Sequence, residues 1–136
     1  MTVFGYDARN GQIGNELQTI PTEPPAYGGP QSTAEIAVHP SSRFLNVSKR
    51  GHNSIVGYRV DSATYLLSVI GYATDGVAFP RHFAIDPSGT RLYVANQTTD
   101  TIVEFRSDTS TGQMKPTGQV TPSITPVAVV FRTLGR

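Results

Sequence analysis

An acid and an imidazole occupy matching places in two similar segments of this 136-residue chain. Glu35 and His82 lie 47 residues apart, and each directly precedes an apolar residue in a short run where apolar side chains alternate with others. In a β-strand this alternation puts the apolar residues on one face, so Glu35 and His82 lie on the opposite face of their strands. If the two strands are neighbours, the carboxylate and the imidazole form a candidate catalytic acid–base pair.

Two arginines and another histidine accompany this pair. Arg50 and His52 stand in the polar loop Lys49–Asn53, and Arg81 directly precedes His82. A guanidinium can hold a carboxylate or a phosphate through two parallel hydrogen bonds, so both arginines are candidate substrate-binding residues. Arg81 could equally form a structural ion pair, and His52, a further candidate catalytic residue, could equally be a solvated turn residue. Because the histidines fall at different element positions, no metal site is predicted.

These residues belong to a unit of 47 residues that occurs twice. Pro40 corresponds to Pro87 and Asp61 to Asp108, and the apolar residues between them correspond at the same offset. Repeats of about this length, rich in short strands, are typical of β-propeller blades. A blade cannot bury its own faces, so it needs neighbours.

Each full unit contains four predicted strands and no helix. Valine, isoleucine, tyrosine, phenylalanine and threonine dominate these runs, and the apolar spacing of a helix is missing. We predict an all-β fold, a partial β-propeller of four-stranded antiparallel blades. The predicted strands are Ala34–Val38, Phe44–Ser48, Ser54–Val60 and Leu66–Tyr72 in the first unit, and Arg81–Ile85, Arg91–Ala95, Thr101–Arg106 and Met114–Val120 in the second.

The meander of each blade places its connections alternately at two ends. The loop Lys49–Asn53 shares one end with the crossings that precede Ala34 and Arg81. The candidate residues therefore gather at one rim, where loops held by a rigid scaffold often carry function.

The two ends of the chain look like incomplete blades. We predict a single domain over residues 1–136, in which 1–32 form the end of one blade and a crossing loop. Val3–Tyr6 and Glu16–Ile20 are the strands of that first part. Residues 33–79 and 80–125 form full blades, and 126–136 begin a further blade with a strand at Pro126–Phe131.

Composition excludes several classes of protein. The net charge of +1 gives no electrostatic footprint for nucleic acid, and the absence of cysteine excludes disulfides and thiolate chemistry. No apolar run approaches the roughly 20 residues that span a bilayer, and no secretion signal is visible. We therefore expect a cytoplasmic protein without a membrane partner, and no motif indicates a cofactor.

Several motifs resemble the lactonase family of seven-bladed propellers, which includes propeller-type 6-phosphogluconolactonases and carboxy-muconate cyclases. The resemblance covers essentially the whole chain and corresponds to the C-terminal part of such a protein, a little under half. One departure is Lys49, which adds a charge at the predicted rim. The motifs that carry the resemblance are Ala34–Pro40, Lys49–Ile55, Pro80–Gly89 and Val94–Gln97.

The resemblance implies an enzyme that hydrolyses a small anionic lactone such as 6-phosphogluconolactone. Glu35 then resembles the family's catalytic acid, Arg81 an anion-binding arginine, and Arg50 and His52 polar residues of the same cleft. A muconate-type cyclase or isomerase is an alternative activity. A non-catalytic segment used for binding or self-assembly is another, because exposed strand edges pair with other chains and two copies could close an incomplete propeller.

Overall fold

The computed structural model describes residues 1–132, and these form an all-β array of antiparallel sheets. Predicted and observed strands of the two full blades agree within two residues at each end. The strands are β1 Thr2–Asp7, β2 Gln12–Thr19, β3 Thr33–Val38, β4 Phe44–Lys49, β5 Ser54–Val60, β6 Leu67–Ala73, β7 Pro80–Ile85, β8 Arg91–Asn96, β9 Thr101–Ser107 and β10 Met114–Pro122.

The strands form a hairpin and two four-stranded meanders. β1 pairs with β2, β3 to β6 form the first full blade in chain order, and β7 to β10 form the second. The predicted partial propeller of four-stranded antiparallel blades is therefore confirmed. β3 and β7 make the most extensive contact between the full blades, so the first strand of each blade lies where the blades converge.

Two apolar clusters hold the three sheets together, one in each gap between them. Sheet faces bury apolar area only against a neighbour, so each gap supplies the core that a single blade lacks. The cluster between the two full blades contains Ile55, Ala73, Val77, Phe83, Leu92, Val94, Val103 and Phe105. The cluster between the hairpin and the first full blade contains Ile20, Val47, Val56, Tyr58 and Leu67.

The chain before β7 and the chain after β10 are capped by the same device. The side-chain oxygen Oδ1 of Asn53 accepts the backbone N–H of Phe79 at 2.8 Å, and Oδ1 of Asp100, 47 residues later, accepts the N–H of Thr125 at 2.8 Å. Phe79 and Thr125 both adopt the left-handed conformation, with φ of 50° and 45°. The chain beyond β10 thus turns in the same way as the chain before β7.

The strand predicted at Pro126–Phe131 is not formed. Residues 126–132 have no ladder of backbone hydrogen bonds in the structure. A first strand becomes a strand only by pairing with the second strand of its own blade, and residues 1–132 provide no such partner for it. Residues 133–136 of the predicted unit 126–136 lie outside the described residues.

Lys49 does not lie at the rim but ends β4 with only 1% of its surface exposed. Its Nζ contacts Oε2 of Glu23 at 2.9 Å and donates to Oε1 of Gln31 at 3.3 Å. Asn96, at the same repeat position, instead donates to the carbonyl of Gly76 at 2.7 Å. Both side chains tie down the crossing loop before their blade, so Lys49 fixes the loop that leads into β3.

Glu23→Gln is expected to lower the free energy of unfolding by about 1–3 kcal/mol at neutral pH, because the buried ammonium of Lys49 loses its charged partner. Burial raises the pKa of Glu23, but hydrogen bonds from Lys49 and Thr22 together with the ammonium charge outweigh burial, so the pKa falls below its ordinary 4.5. A lowered pKa in the folded state means that the contribution is complete above 4.5 and is lost as pH falls through the lower, folded value.

Urea denaturation of the wild type and of Glu23→Gln across this pH range measures that contribution. The difference in stability between the two proteins should shrink as the pH falls below 4.5. Asp61 and Asp108, whose pKa values are also lowered by hydrogen bonds within their turns, destabilise both proteins equally in acid and cancel in the difference. A difference that stays constant with pH would contradict the ion pair.

Candidate functional site

Glu35 and His82 meet between the innermost strands of the two full blades. Nε2 of His82 lies 3.2 Å from Oε2 of Glu35, and the two side chains are 24% and 33% exposed. The strand alternation in the sequence predicts this meeting, because both residues lie on the same face of equivalent strands. Partial exposure leaves the carboxylate within reach of water or a ligand while the imidazole holds one of its oxygens.

A β-bulge sets the orientation of Glu35. In the β3–β4 ladder Thr33 pairs with Lys49 and Ile36 with Val47, so Ala34 and Glu35 together face Ser48 alone. The hydroxyl of Ser48 accepts the backbone N–H of Glu35 at 2.8 Å, and Oε1 of Glu35 accepts the N–H of Ile36 at 2.9 Å. Bulges often redirect a side chain beside an active site. Here the bulge is held by a side chain that has no counterpart in the second blade.

The backbone after β10 fixes the tautomer of His82. The N–H of Val129 points at Nδ1 of His82 at 3.3 Å, and a backbone N–H can only donate. Nδ1 is therefore the acceptor, and the proton of the neutral imidazole sits on Nε2, facing Glu35. His82 thus presents a donor to the carboxylate and holds the position of Oε2.

Arg50 spans the rim between the starts of β3 and β7. Its Nη2 donates to the carbonyl of Thr33 at 3.2 Å, and its guanidinium carbon lies 5.4 Å from the ring centre of Phe79. Nε of Arg50 is buried and has no acceptor among residues 1–132. One donor of this guanidinium thus remains without a partner in the described part of the chain. The residue that the guanidinium does contact, Thr33, lies two residues before Glu35 in the chain.

Arg81 occupies a bulge of its own. Pro80 pairs with Asn96 and His82 with Ala95, so Arg81 is the extra residue between two adjacent pairs. Its side chain is exposed and makes no hydrogen bond or ion pair with the described residues. The bulge places a cation next to the Glu35–His82 pair in the chain, with no structural partner among residues 1–132.

His52 makes no hydrogen bond with Glu35 or His82. Its Nδ1 lies 2.8 Å from Oγ of Ser54, and its ring packs edge-on against Tyr27 at 4.9 Å and Tyr72 at 5.8 Å between ring centres. Burial and the charge of Glu23 raise the pKa of Tyr72, which keeps its hydroxyl protonated. The structure therefore gives His52 an aromatic, packed setting, and a catalytic role for it stays a prediction.

A cavity of about 210 Å³ opens beside the bulge of Glu35. This volume is smaller than the roughly 300–1,000 Å³ of pockets that commonly enclose small ligands. No group of three or more histidine, aspartate or glutamate side chains within residues 1–132 has the geometry of a metal site. Residues 1–132 contain no helix that is long and apolar enough to cross a membrane. The residues that line the cavity are Met1, Thr22, Thr33, Ala34, Glu35, Ile36 and Val47.

Sequence reasoning missed the residues that support the pair. The contacts of the Ser48 hydroxyl with Glu35 and of the Val129 N–H with His82 could not be predicted from the sequence. Both depend on backbone geometry that a bulge and the chain after β10 create. The buried position of Lys49 does have an indication in the sequence. Lys49 and Asn96 occupy the same repeat position, so a polar residue ends the second strand of both full blades. A polar residue at the same strand end of both units indicates a buried anchor.

The chain is similar to lactonases over nearly its whole length. A family model described as lactonase, 7-bladed beta-propeller, matches residues 1–131. A 6-phosphogluconolactonase of Formosa agariphila is 42% identical over 85 residues, which are 61% of this chain and 24% of that protein. A 6-phosphogluconolactonase of Yersinia pestis is 31% identical over 107 residues, 79% of this chain and 32% of that protein.

Comparison with solved structures also shows similarity to a lactonase. The periplasmic gluconolactonase of Pseudomonas aeruginosa superposes with a TM-score of 0.87 at 30% identity, covering 93% of this chain and 35% of that one. This chain thus spans about a quarter to a third of the length of these relatives. Because a family model matches all but the last five residues and the blades superpose on those of a solved relative, the chain belongs to the lactonase family of seven-bladed β-propellers.

Proposed function

We propose that this chain carries part of the catalytic cleft of a hydrolase acting on a small anionic sugar lactone such as 6-phosphogluconolactone. The observation that carries the proposal is the Glu35–His82 pair, in which a partly exposed carboxylate is held at 3.2 Å by an imidazole of the neighbouring blade. The names of two relatives, both 6-phosphogluconolactonases, support this substrate. The cytoplasmic location stays a prediction, and one similar structure is of a periplasmic enzyme.

Glu35 acts as general base in this proposal. It takes a proton from water as the water oxygen bonds to the lactone carbonyl carbon, and the carbonyl oxygen becomes an oxyanion. When the oxyanion collapses, the bond from the carbonyl carbon to the ring oxygen breaks, and the ring oxygen leaves with the proton that Glu35 returns. His82 keeps Oε2 of Glu35 in place through its Nε2–H, and such positioned proton transfer accelerates reactions about 10²–10⁴-fold.

The arginines supply the positive charge that the substrate needs. Arg81 is exposed and unpaired among residues 1–132, so its guanidinium can take a phosphate in two parallel hydrogen bonds. Arg50, whose Nη2 donates to the carbonyl of Thr33 at the start of β3, can bring positive charge toward the developing oxyanion. The site thus separates substrate binding from proton transfer.

Arg81→Ala is expected to raise KM for 6-phosphogluconolactone about 10-fold or more, because one hydrogen-bonded charge contributes about 1.5–3 kcal/mol. Hydrolysis above the spontaneous rate is measured with the purified chain on this lactone and on gluconolactone, which lacks the phosphate. KM for gluconolactone should change little. Arg9→Ala, an exposed arginine on the turn between β1 and β2, serves as the control and should leave both values unchanged.

Two results would contradict the proposal. No hydrolysis above the spontaneous rate would remove lactonase activity from this chain. An unchanged KM in Arg81→Ala would remove Arg81 from substrate binding while leaving the rest of the site in question. Identification of the product also separates hydrolysis from a cyclase or isomerase, because only hydrolysis adds water and yields the open-chain hydroxy acid.

A further inference from the structure

The two gaps between the three sheets differ at their outer ends. In the gap between the hairpin and the first full blade, the carboxamide of Gln18 reaches across to β6. Its Oε1 accepts the N–H of Leu67 at 2.8 Å, and its Nε2 donates to the carbonyl of Leu67 at 2.8 Å. One primary carboxamide thus satisfies both backbone groups of an outer-strand residue.

Leu67 offers both groups because of its place in the β5–β6 ladder. Its partner is Val60, whose N–H donates to the carbonyl of Arg43 at 2.9 Å on the opposite side of β5. Leu67 and Val60 are therefore a pair without mutual hydrogen bonds, and the backbone groups of such a pair point away from the partner strand. Since β6 is the last strand of its sheet, the N–H and C=O of Leu67 point to a free edge.

Met114 holds the same position in the second full blade. It lies 47 residues after Leu67, and β10 is likewise the last strand of its sheet. Its partner is Ser107, whose N–H donates to the carbonyl of Thr90 at 3.0 Å on the opposite side of β9. The backbone N–H and C=O of Met114 therefore also point to a free edge, beside the gap between the two full blades.

The second gap has no carboxamide at the position of Gln18. Gln18 pairs with Val3 in the hairpin, and Ala73 pairs with Ile55, the counterpart of Val3, in the first full blade. The methyl group of Ala73 cannot form a hydrogen bond. A cavity of about 210 Å³ lies here instead, and both Ala73 and Met114 line it.

The wall of this cavity on the first blade is formed largely by backbone. A Cβ on Gly71 would meet no atom within 4 Å, and a Cβ on Gly57 would lie 3.4 Å from Cε of Met114. Nδ2 of Asn46 lies 3.5 Å from Sδ of Met114 and holds the thioether against Gly57. An apolar cavity of about 150 Å³ can hold a benzene ring, so this cavity has room for a ring that carries a carboxamide.

We propose that this cavity binds a small molecule in which a primary carboxamide is attached to an apolar ring. The carboxamide oxygen accepts the N–H of Met114, and the carboxamide nitrogen donates to its C=O, as Gln18 does with Leu67. The ring lies over Gly57 and Gly71 against the thioether of Met114, which is a favourable partner for an aromatic ring.

The cavity is separate from the proposed catalytic cleft. It lies between the outer strands β6 and β10, whereas Glu35 and His82 meet between the innermost strands β3 and β7. Both blades that bound it are complete four-stranded sheets within the described residues. Binding at this cavity therefore does not depend on lactonase activity.

Benzamide is the probe for this site. Added to the isotope-labelled chain, it should shift the amide NMR signals of Met114 and Gly71 in a saturable way, with a dissociation constant in the millimolar range expected for so small a ligand. Methyl benzoate is neutral and of similar size, but its carbonyl group carries no N–H. It should bind about 5-fold or more weakly, because the C=O of Met114 then lacks a donor.

Gly71→Leu places a side chain in the cavity and should abolish the binding of benzamide. The fold should persist, because Gly71 does not have a left-handed conformation and a Cβ there has open space. Ser68→Leu is the matched control, since it adds the same side chain at an exposed position of β6 outside the cavity lining. Circular dichroism checks the β-sheet fold, and if Gly71→Leu loses it, Ala73→Gln tests the same point by supplying a carboxamide from the chain.

Three results would overturn the proposal. The absence of a saturable shift at Met114 and Gly71 would show that the cavity takes no such ligand. Equal affinity for benzamide and methyl benzoate would remove the pairing of the carboxamide with the backbone of Met114. Binding that persists unchanged in a folded Gly71→Leu or Ala73→Gln variant would place the ligand elsewhere on the chain.

Discussion

Gly112→Ala is expected to destabilise the fold by about 2–5 kcal/mol. Gly112 has a φ of 77°, a left-handed conformation that costs a residue with a Cβ atom about 1–2 kcal/mol. A Cβ at this position would also lie 2.5 Å from Cδ1 of Phe44 and 2.6 Å from Cδ1 of Ile70. Overpacking of that kind costs about 1–3 kcal/mol more. Both obstructing side chains belong to the first blade, so the substitution pushes the two full blades apart.

Gly118→Ala separates the two contributions. Gly118 has a similar φ of 82°, but a Cβ there would meet no atom within 4 Å. Its replacement should cost only the conformational part, about 1–2 kcal/mol. Denaturant unfolding of both variants measures the difference, which reports the contact of the Gly112 turn with Phe44 and Ile70. Equal losses in the two variants would mean that the blades do not pack as closely as the structure describes.

The repeat explains why most of the fold could be predicted from sequence. Strands within the two full units form their own ladders, so alternation and turn residues at a constant offset locate them within two residues. Pro126–Phe131 has equally suitable residues but no partner strand within residues 1–132, and it forms no ladder. Local pattern thus predicts a strand only where the chain also supplies the neighbour that pairs with it.

In the candidate site, too, contacts between equivalent positions of the repeat were predictable, whereas contacts with loops were not. The contact of Glu35 with His82 could be predicted because they are equivalent residues of equivalent strands. A repeat places such residues on adjacent blades. The buried position of Lys49 could not be anticipated in this way, since its partner Glu23 comes from the crossing loop before β3, whose sequence is not repeated in the crossing loop before β7. Contacts between a repeat and an irregular loop are set by tertiary structure.

Glu35→Gln is expected to lower kcat for hydrolysis of 6-phosphogluconolactone about 10²–10⁴-fold, the range that a positioned general base contributes. Glutamine keeps the shape of glutamate and still offers an oxygen to Nε2–H of His82, so the pair and the fold should persist. It cannot take a proton from water. KM should change little, because Arg81, the proposed phosphate-binding residue, is unaltered.

Initial rates at several substrate concentrations, corrected for spontaneous hydrolysis, separate kcat from KM in this variant. Glu16→Gln removes an exposed carboxylate from β2, outside the proposed site, and should leave both values unchanged. If Glu35→Gln keeps the wild-type kcat, Glu35 is a structural partner of His82 and the base lies elsewhere. If kcat falls while KM holds, the loss is confined to the chemical step. That result would assign proton transfer to the carboxylate that the bulge of β3 and the imidazole of the next blade hold in place.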